Sequence, residues 1–278
     1  MAPVKPAGLK FLCCSLFLLP SLWAGAQGQG VGESARTRAL GGTGITLTTA
    51  EAAFTNPAGL ALTPAPGAVV SAEQRFGLSD LTFLNAAVAH PLGGSGGVAL
   101  SLSAFSLDVY AEQRFGLAYG YRLNDRLQIG VELTTFSSQA EAYESYFDLT
   151  GGLGVRYLVS EEITLGARLF SPVRVTQGEG EDFLPQLLAL GGSYRFSDQL
   201  SLNAEVHQDV EYPARFRFGL EYLPVESLAI RLGLATAAAE LSFGLGYTVL
   251  DNVRLAFSGS YHEQLGWSPT FGVRYGAD

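Results

Sequence analysis

From Ala68 to Tyr275 apolar and polar residues alternate with a period of two in one segment after another, and no sustained helical period interrupts them. In Arg126–Thr134 the side chains of Leu127, Ile129, Val131 and Leu133 fall on one face of an extended strand. Arg126, Gln128, Gly130, Glu132 and Thr134 fall on the other. The same pattern sets Leu200, Leu202, Ala204 and Val206 against Ser201, Asn203, Glu205 and His207, and Phe216, Phe218, Leu220 and Tyr222 against Arg215, Arg217, Gly219 and Glu221. The pattern predicts strands at 68–76, 82–91, 96–105, 112–122, 126–137, 146–158, 162–171, 185–196, 199–209, 214–223, 227–235, 239–249, 252–261 and 267–275, fourteen in all. Each is about nine to thirteen residues long, the length a tilted strand needs to cross a bilayer, and an even number closes an up-and-down barrel.

Alternation alone also fits a secreted soluble β-sandwich, whose sheets likewise have one apolar face. Composition separates the two. A soluble sheet places Lys, Thr and Glu on its wet face, whereas the polar face here holds many of the 34 glycines together with arginines. Those arginines are Arg114, Arg156, Arg168, Arg195, Arg217, Arg231, Arg254 and Arg274, and with Glu132, Glu205, His207 and Glu221 they suit a water-filled lumen in which guanidinium and carboxylate bridge neighbouring strands. The expected fold is therefore all-β: a transmembrane up-and-down barrel of about 14 antiparallel strands over residues 68–278, preceded by a short N-terminal plug.

Before the barrel, Lys5 and Lys10 precede an apolar run from Phe11 to Ala24 that ends in Ala24-Gly25-Ala26, which predicts a signal peptide over residues 1–26. The run is too short to span as a helix, and Cys13 and Cys14 lack the small preceding residues of a lipoprotein signal. Cleavage after Ala26 removes both cysteines and both lysines, leaving fifteen arginines as the only cations against 26 acidic residues, a net charge of −11. Disulfide and thiol chemistry are then excluded, and so is a nucleic-acid partner, whose phosphates require a basic face.

Six strands of even number end in G-x-x-Y: Gly116…Tyr119, Gly154…Tyr157, Gly191…Tyr194, Gly219…Tyr222, Gly244…Tyr247 and Gly272…Tyr275. The odd offset sends Tyr to the apolar side and Gly to the polar side, so with a periplasmic N-terminus the phenols form one aromatic girdle at one interface. Most links after even strands are tight and polar, as at Asn124-Asp125, Ser160-Glu161, Ser197-Asp198 and Asp251-Asn252. Links after odd strands run longer, and the longest, Pro172 to Leu184, carries Gly178-Glu179-Gly180-Glu181-Asp182 and is expected to be a mobile acidic outer loop.

Residues 27–67 are rich in Gly, Ala and Thr and lack strand alternation. Ala39-Leu40-Gly41-Gly42-Thr43-Gly44 reads as irregular, Ala50–Phe54 as a short helix capped by Thr48 or Thr49, and Asn56-Pro57 as its stop, after which Ala58-Gly59-Leu60 leads towards the wall. A lumen fourteen strands wide is too broad for wall side chains to fill, so this segment is expected to fold inside as a plug or hatch; the competing reading is a disordered periplasmic tail. Ser34-Ala35-Arg36, then Ala39–Gly44, then Ala53-Phe54-Thr55-Asn56-Pro57-Ala58-Gly59-Leu60 resembles the start of the PorV/PorQ-like outer-membrane proteins, which are similar to the wider long-chain fatty acid transporter (FadL-like) barrels. The resemblance implies a fourteen-stranded barrel of the cell outer membrane of a Gram-negative-type bacterium, with Asn56, Pro57, Ala58, Gly59 and Leu60 as the plug motif. It implies two jobs: assistance to type IX protein secretion, or passage of hydrophobic molecules through a lumen gated by the hatch.

No nucleotide fingerprint survives inspection, because Leu47 stands where Gly42-Thr43-Gly44 needs a third glycine and Tyr157 where Gly152-Leu153-Gly154 needs one. His90, His207 and His262 are far apart in sequence, and no metal or cofactor site is expected. His207 and Asp209 share a lumenal face near the outer end of their strand, with Glu205 placed to orient the imidazole; a rim hydrolase and ordinary lumenal polarity are the alternatives. The arginine rows either attract an anionic head group or stiffen the wall, and inward Phe105, Phe136 and Phe170 either line an apolar path or pack around the hatch. The sequence reading is a PorV/PorQ-like secretion-accessory or structural barrel without enzymatic activity. A passive FadL-like channel for hydrophobic small molecules is the alternative. The expected partners are outer-membrane lipid, other outer-membrane or secreted proteins, and hydrophobic small molecules.

Overall fold

The structure, a computed structural model, describes residues 32–107, 110–140, 145–172, 186–210, 212–236 and 239–277. The expected signal peptide, the start of the expected plug (27–31) and nearly all of the acidic loop at 172–184 lie outside the described residues. Fourteen strands form one closed antiparallel barrel in sequence order, with β1 meeting β14. They are β1 (Gly67–Gln74), β2 (Thr82–Pro91), β3 (Gly96–Leu107), β4 (Tyr110–Arg122), β5 (Leu127–Ala140), β6 (Tyr146–Leu158), β7 (Ile163–Phe170), β8 (Leu187–Arg195), β9 (Leu200–Asp209), β10 (Arg215–Val225), β11 (Leu228–Ala235), β12 (Glu240–Leu250), β13 (Val253–His262) and β14 (Gly266–Tyr275). The number and order are those the alternation predicts. The β3–β4 link is shorter than expected, because both strands continue pairing until Leu107 lies opposite Tyr110.

The two faces of the wall are inverted relative to a water-soluble barrel. Leu117, Val131, Leu153, Leu165, Leu232 and Phe271 point outward and are exposed, while Thr134, Thr150, Ser242, Ser258 and Thr270 point inward and are buried. This is the arrangement of a membrane barrel, in which lipid covers the apolar face and every backbone donor and acceptor finds its partner in the next strand. No described helix is long and apolar enough to cross a membrane. The six tyrosines of the G-x-x-Y repeats are all exposed on the outer face.

Inside the barrel lies the segment that precedes β1. It begins with α1 (Ala35–Ala39), which sequence periodicity does not reveal because it is little more than one turn. Ser34 and Thr37 cap it reciprocally: the Thr37 amide donates to Ser34 Oγ at 3.2 Å and the Ser34 amide to Thr37 Oγ1 at 2.9 Å. The second helix, α2 (Ala52–Thr55), falls near the predicted place, but its N-cap is Glu51 rather than Thr48 or Thr49. The Thr49 hydroxyl is instead bonded to the Glu51 carboxylate. Asn56 is extended, as expected of a residue before proline, and a 3-10 turn, Pro57–Leu62, follows.

Candidate functional site

Asn56 begins the contact between the inner segment and the wall. It is fully buried, and its side-chain amide donates to the carbonyls of Ile45 at 2.9 Å and Val155, on β6, at 3.0 Å. Its Oδ1 accepts from the Ala58 amide at 3.1 Å, which caps the 3-10 turn. That turn rests on four glycines that stand opposite one another across β3 to β6: Gly97 faces Gly120, Gly120 faces Gly130, and Gly130 faces Gly154. A Cβ at any of them would be driven into the Leu60 carbonyl, the Ala61 amide, the Ala58 amide or the Asn56 side chain respectively. The glycine-rich lumenal face therefore exists so that backbone can lie directly on backbone, a role the sequence placed no partner against. The sequence reading sent Ala58-Gly59-Leu60 towards the wall, and here they lie flat against it.

On the opposite side the inner segment is held by charge. Arg36 makes a two-point contact with Glu221 on β10, Nη2 to Oε1 at 2.8 Å and Nε to Oε2 at 3.2 Å, and Arg231 on β11 bonds the same carboxylate. Arg38 reaches Glu33, Glu73 on β1 and Glu240 on β12. Arg217 donates to the Gly42 carbonyl at 2.8 Å and to Glu33 at 3.2 Å. Burial pushes the Glu33 carboxyl up, but Arg38, Arg217 and Arg75 outweigh it and hold the group down at about 2. Glu51 is likewise kept below the usual carboxylate range, because Arg274, Arg36 and the Thr49 hydroxyl overcome the desolvation that would raise it. Glu33, Arg36, Arg38, Glu51 and, on β1, Glu73 were not foreseen as lumenal groups; for the first four only their charge within an otherwise neutral Gly-Ala-Thr stretch signalled them.

Wall residues expected to bridge neighbouring strands do so only in part. Glu221 and Arg231 stand directly opposite and pair. Arg168 on β7 instead spans β6 to reach Glu132 on β5, with both contacts at 2.7 Å, and donates to the Phe54 carbonyl at 2.6 Å. Gly152, opposite Glu132, makes this possible, since a Cβ there would strike that carboxylate. Glu205 stands opposite Arg217 but spends one oxygen on the consecutive amides of Gly44 at 2.6 Å and Ile45 at 2.8 Å, and the other on His207 Nε2 at 2.7 Å. Arg156 binds Gln128 and the Thr46 carbonyl, Arg254 binds Thr248, and Arg114 binds Glu112 on its own strand. Arg195 departs from the expectation most. It is exposed at the barrel end and donates to the Glu161 carbonyl in the adjacent turn.

Among the described residues this packing leaves cavities at both ends of the inner segment. Towards the longer links, Ile45, Phe54, Phe170, Leu187 and Ala189 line a cavity of about 80 Å³ whose polar rim includes Arg168, Glu205, His207, Asp209, Arg215 and Arg217. Phe136 packs on Phe170 with centroids 6.2 Å apart and both are buried, while Phe105 stacks on Phe83 at 4.4 Å away from this cavity. Among the described residues the hydroxyl groups lining it, Thr37 and Thr55, are engaged with the carbonyls of Ser34 and Glu51. Towards the tight turns, a larger chamber of about 480 Å³ opens between Ser34–Arg36, Glu51 and the walls of β10 to β14 and β1.

Several solved barrels share this architecture. The Ralstonia pickettii toluene transporter TbuX superimposes with a TM-score of 0.69 at 15% identity, over 89% of this chain and 99% of that one. The CymD monoaromatic hydrocarbon channel gives 0.69 at 13% identity over 89% and 98%. A Pseudomonas aeruginosa FadL homologue gives 0.67 at 12% identity over 89% and 100%. The likeness is one of fold. No family model matches the sequence, and no curated protein matches it.

Proposed function

We propose that this chain is an outer-membrane channel through which hydrophobic small molecules pass, with residues 32–66 acting as its barrier. The observation that carries the reading is the apolar floor of the chamber on the long-link side, where Phe54 and Ile45 of the inner segment meet Phe170, Leu187 and Ala189 of the wall. Apolar side chains with a few convergent polar groups are the usual lining of a small-molecule site. The similar solved barrels named above include a toluene transporter and a monoaromatic hydrocarbon channel, which supports the same substrate class and the same membrane. At about 80 Å³ the cavity is smaller than the roughly 150 Å³ that admits benzene into a protein interior, so a ring passes only if the inner segment yields.

The test is uptake of toluene into liposomes carrying the purified barrel. Saturable entry above that of protein-free liposomes is expected, and entry equal to the control defeats the reading. The PorV/PorQ-like secretion role rests on the N-P-A-G-L segment. It takes precedence if a barrel inactive in liposomes recovers a stoichiometric outer-membrane or secreted protein on pull-down. His207, bonded to Glu205 at 2.7 Å, is assigned in this reading to the lumenal polar network.

A further inference from the structure

The wall of the apolar cavity is built in rows of residues that stand opposite one another on neighbouring strands. Towards the outer end one row runs Phe170, Leu187 and Asp209 across β7 to β9. One step deeper the row is Arg168, Ala189, His207 and Arg215 across β7 to β10, and the next holds Gly191, Glu205 and Arg217. The apolar pair and the imidazole are therefore diagonal neighbours, and Ala189 places only a methyl beside the ring of His207, which lines the cavity. Glu205 fixes how that ring is used. One carboxylate oxygen accepts from the consecutive amides of Gly44 and Ile45, and the other lies 2.7 Å from His207 Nε2. An ionised carboxylate only accepts, so Nε2 carries the proton and in the neutral ring Nδ1 is an acceptor. His207 makes no other hydrogen bond among the described residues.

The cations of the rim already have partners. Arg168 is held by Glu132 and the Phe54 carbonyl, Arg217 by Glu33 and the Gly42 carbonyl, and Arg215 lies in the field of Asp209. Glu33, Glu205 and Asp209 also belong to the lining, so a negatively charged ligand would meet three carboxylates there. A neutral ligand that can donate a hydrogen bond meets an acceptor instead, and a site that satisfies a ligand hydroxyl discriminates against the analogue without one. We propose that this cavity selects monocyclic phenols over bare hydrocarbon rings, with the ring on Leu187 and Phe170 and the phenolic hydroxyl donating to His207 Nδ1. The inference rests on the channel reading above and names the ligand of its apolar cavity. His207 is the specificity-determining residue and Glu205 the positioning residue that sets its tautomer.

The test is isothermal titration of the barrel in lipid nanodiscs at pH 8, where imidazole is neutral, with empty nanodiscs as the baseline. The probes are p-cresol; p-xylene, which exchanges the hydroxyl for a methyl; p-tolualdehyde, which only accepts hydrogen bonds; and p-toluate, the corresponding anion. Binding of p-cresol about threefold or more tighter than p-xylene is expected, the worth of one neutral hydrogen bond. His207→Phe keeps a ring in place and is expected to erase that preference without changing p-xylene affinity. Glu205→Gln is the sharper variant. Its amide oxygen takes the Gly44 and Ile45 amides, so its NH2 donates to His207 Nε2 and the ring proton moves to Nδ1, and p-tolualdehyde is then expected to gain about threefold. Unheated gel mobility shows that each variant is folded; should Glu205→Gln fail to fold, His207→Phe decides alone. Equal binding of p-cresol and p-xylene, a p-cresol preference that survives His207→Phe, or tighter binding of p-toluate than of p-cresol overturns the proposal. Toluene uptake without phenol selectivity removes this inference and leaves the channel, whereas selective p-cresol binding without uptake removes the channel and leaves the site.

Discussion

The inner segment is held on its two sides by different physics. Along β3 to β6 the Asn56–Leu62 stretch lies backbone on backbone over four facing glycines, secured by neutral hydrogen bonds from one asparagine. Along β9 to β14 and β1, α1 and the loop after it are held by arginine–carboxylate contacts and by the Glu205 carboxylate on two amides. The first attachment is a matter of shape, indifferent to pH and salt. The second depends on ionisation and stands beside both chambers. In the proposed channel, a barrier that yields on one side and stays attached on the other has its fixed edge on the glycine side and its yielding edge on the charged one.

The comparison breaks most sharply at Glu221. Replacing it with Ala leaves Arg36 and Arg231 facing each other in a nearly buried site, a loss of about 3–5 kcal/mol. Hydrogen exchange is expected to accelerate across Ala35–Leu40 and to stay slow at Ala58–Leu60; uniform acceleration contradicts separate attachments. Gly130→Ala is the mirror experiment. Its new methyl meets the backbone of Pro57 and Ala58, which cannot rotate away, for a cost of about 1–3 kcal/mol, and here the 3-10 turn is expected to exchange faster while α1 does not. Asn56→Ala removes both carbonyl contacts at 2.9 and 3.0 Å and is expected to act in the same direction, by about 1–3 kcal/mol at most.

Acid provides a gentler probe of the same contrast. The Glu33 carboxyl is held at about 2 in the folded chain, below its ordinary 4.5, so its contribution is complete above about pH 4.5. That contribution fades as the pH falls towards 2. Exchange at Arg36–Leu40 is expected to rise over that window and exchange at Ala58–Leu60 to remain flat, and a parallel rise in both removes the distinction. The smallest effect belongs to Arg195→Gln: its exposed side chain engages the Glu161 carbonyl and the nearby Glu162 charge in a turn, and no measurable change in either region is expected.

How much of this was legible in the sequence follows from the range of each interaction. Strand pairing between sequence neighbours leaves its mark as alternation, and Leu127–Leu133 announced both faces of β5. The N-P-A-G-L segment was legible as a structural stop, because Pro57 constrains Asn56 locally. Contacts across the lumen leave no such trace. Arg36 and Glu221 are 185 residues apart, and no local pattern couples them. The glycines were visible on the polar face, yet their purpose lay in a backbone from elsewhere in the chain. Arg168 was assigned to a neighbouring strand because nothing in sequence shows that Gly152 lets it reach one strand further. The five residues of α1 fell below any periodic signal, although the Ser34-x-x-Thr37 spacing of its reciprocal cap was present to be read.

The central claim is that the charged side of the inner segment yields to admit a hydrophobic molecule. Cys13 and Cys14 are the only cysteines, and both precede the described residues, so an introduced pair reports cleanly. Ala35 Cβ lies 3.0 Å from where a Gly272 Cβ would stand, so a disulfide, which needs about 3.5 Å or more between Cβ atoms, forms once the two move apart by at least about half an ångström. In the Ala35→Cys/Gly272→Cys barrel, toluene uptake into liposomes is expected to stop on oxidation and to return on reduction. Equal uptake in the oxidised and reduced states contradicts the account.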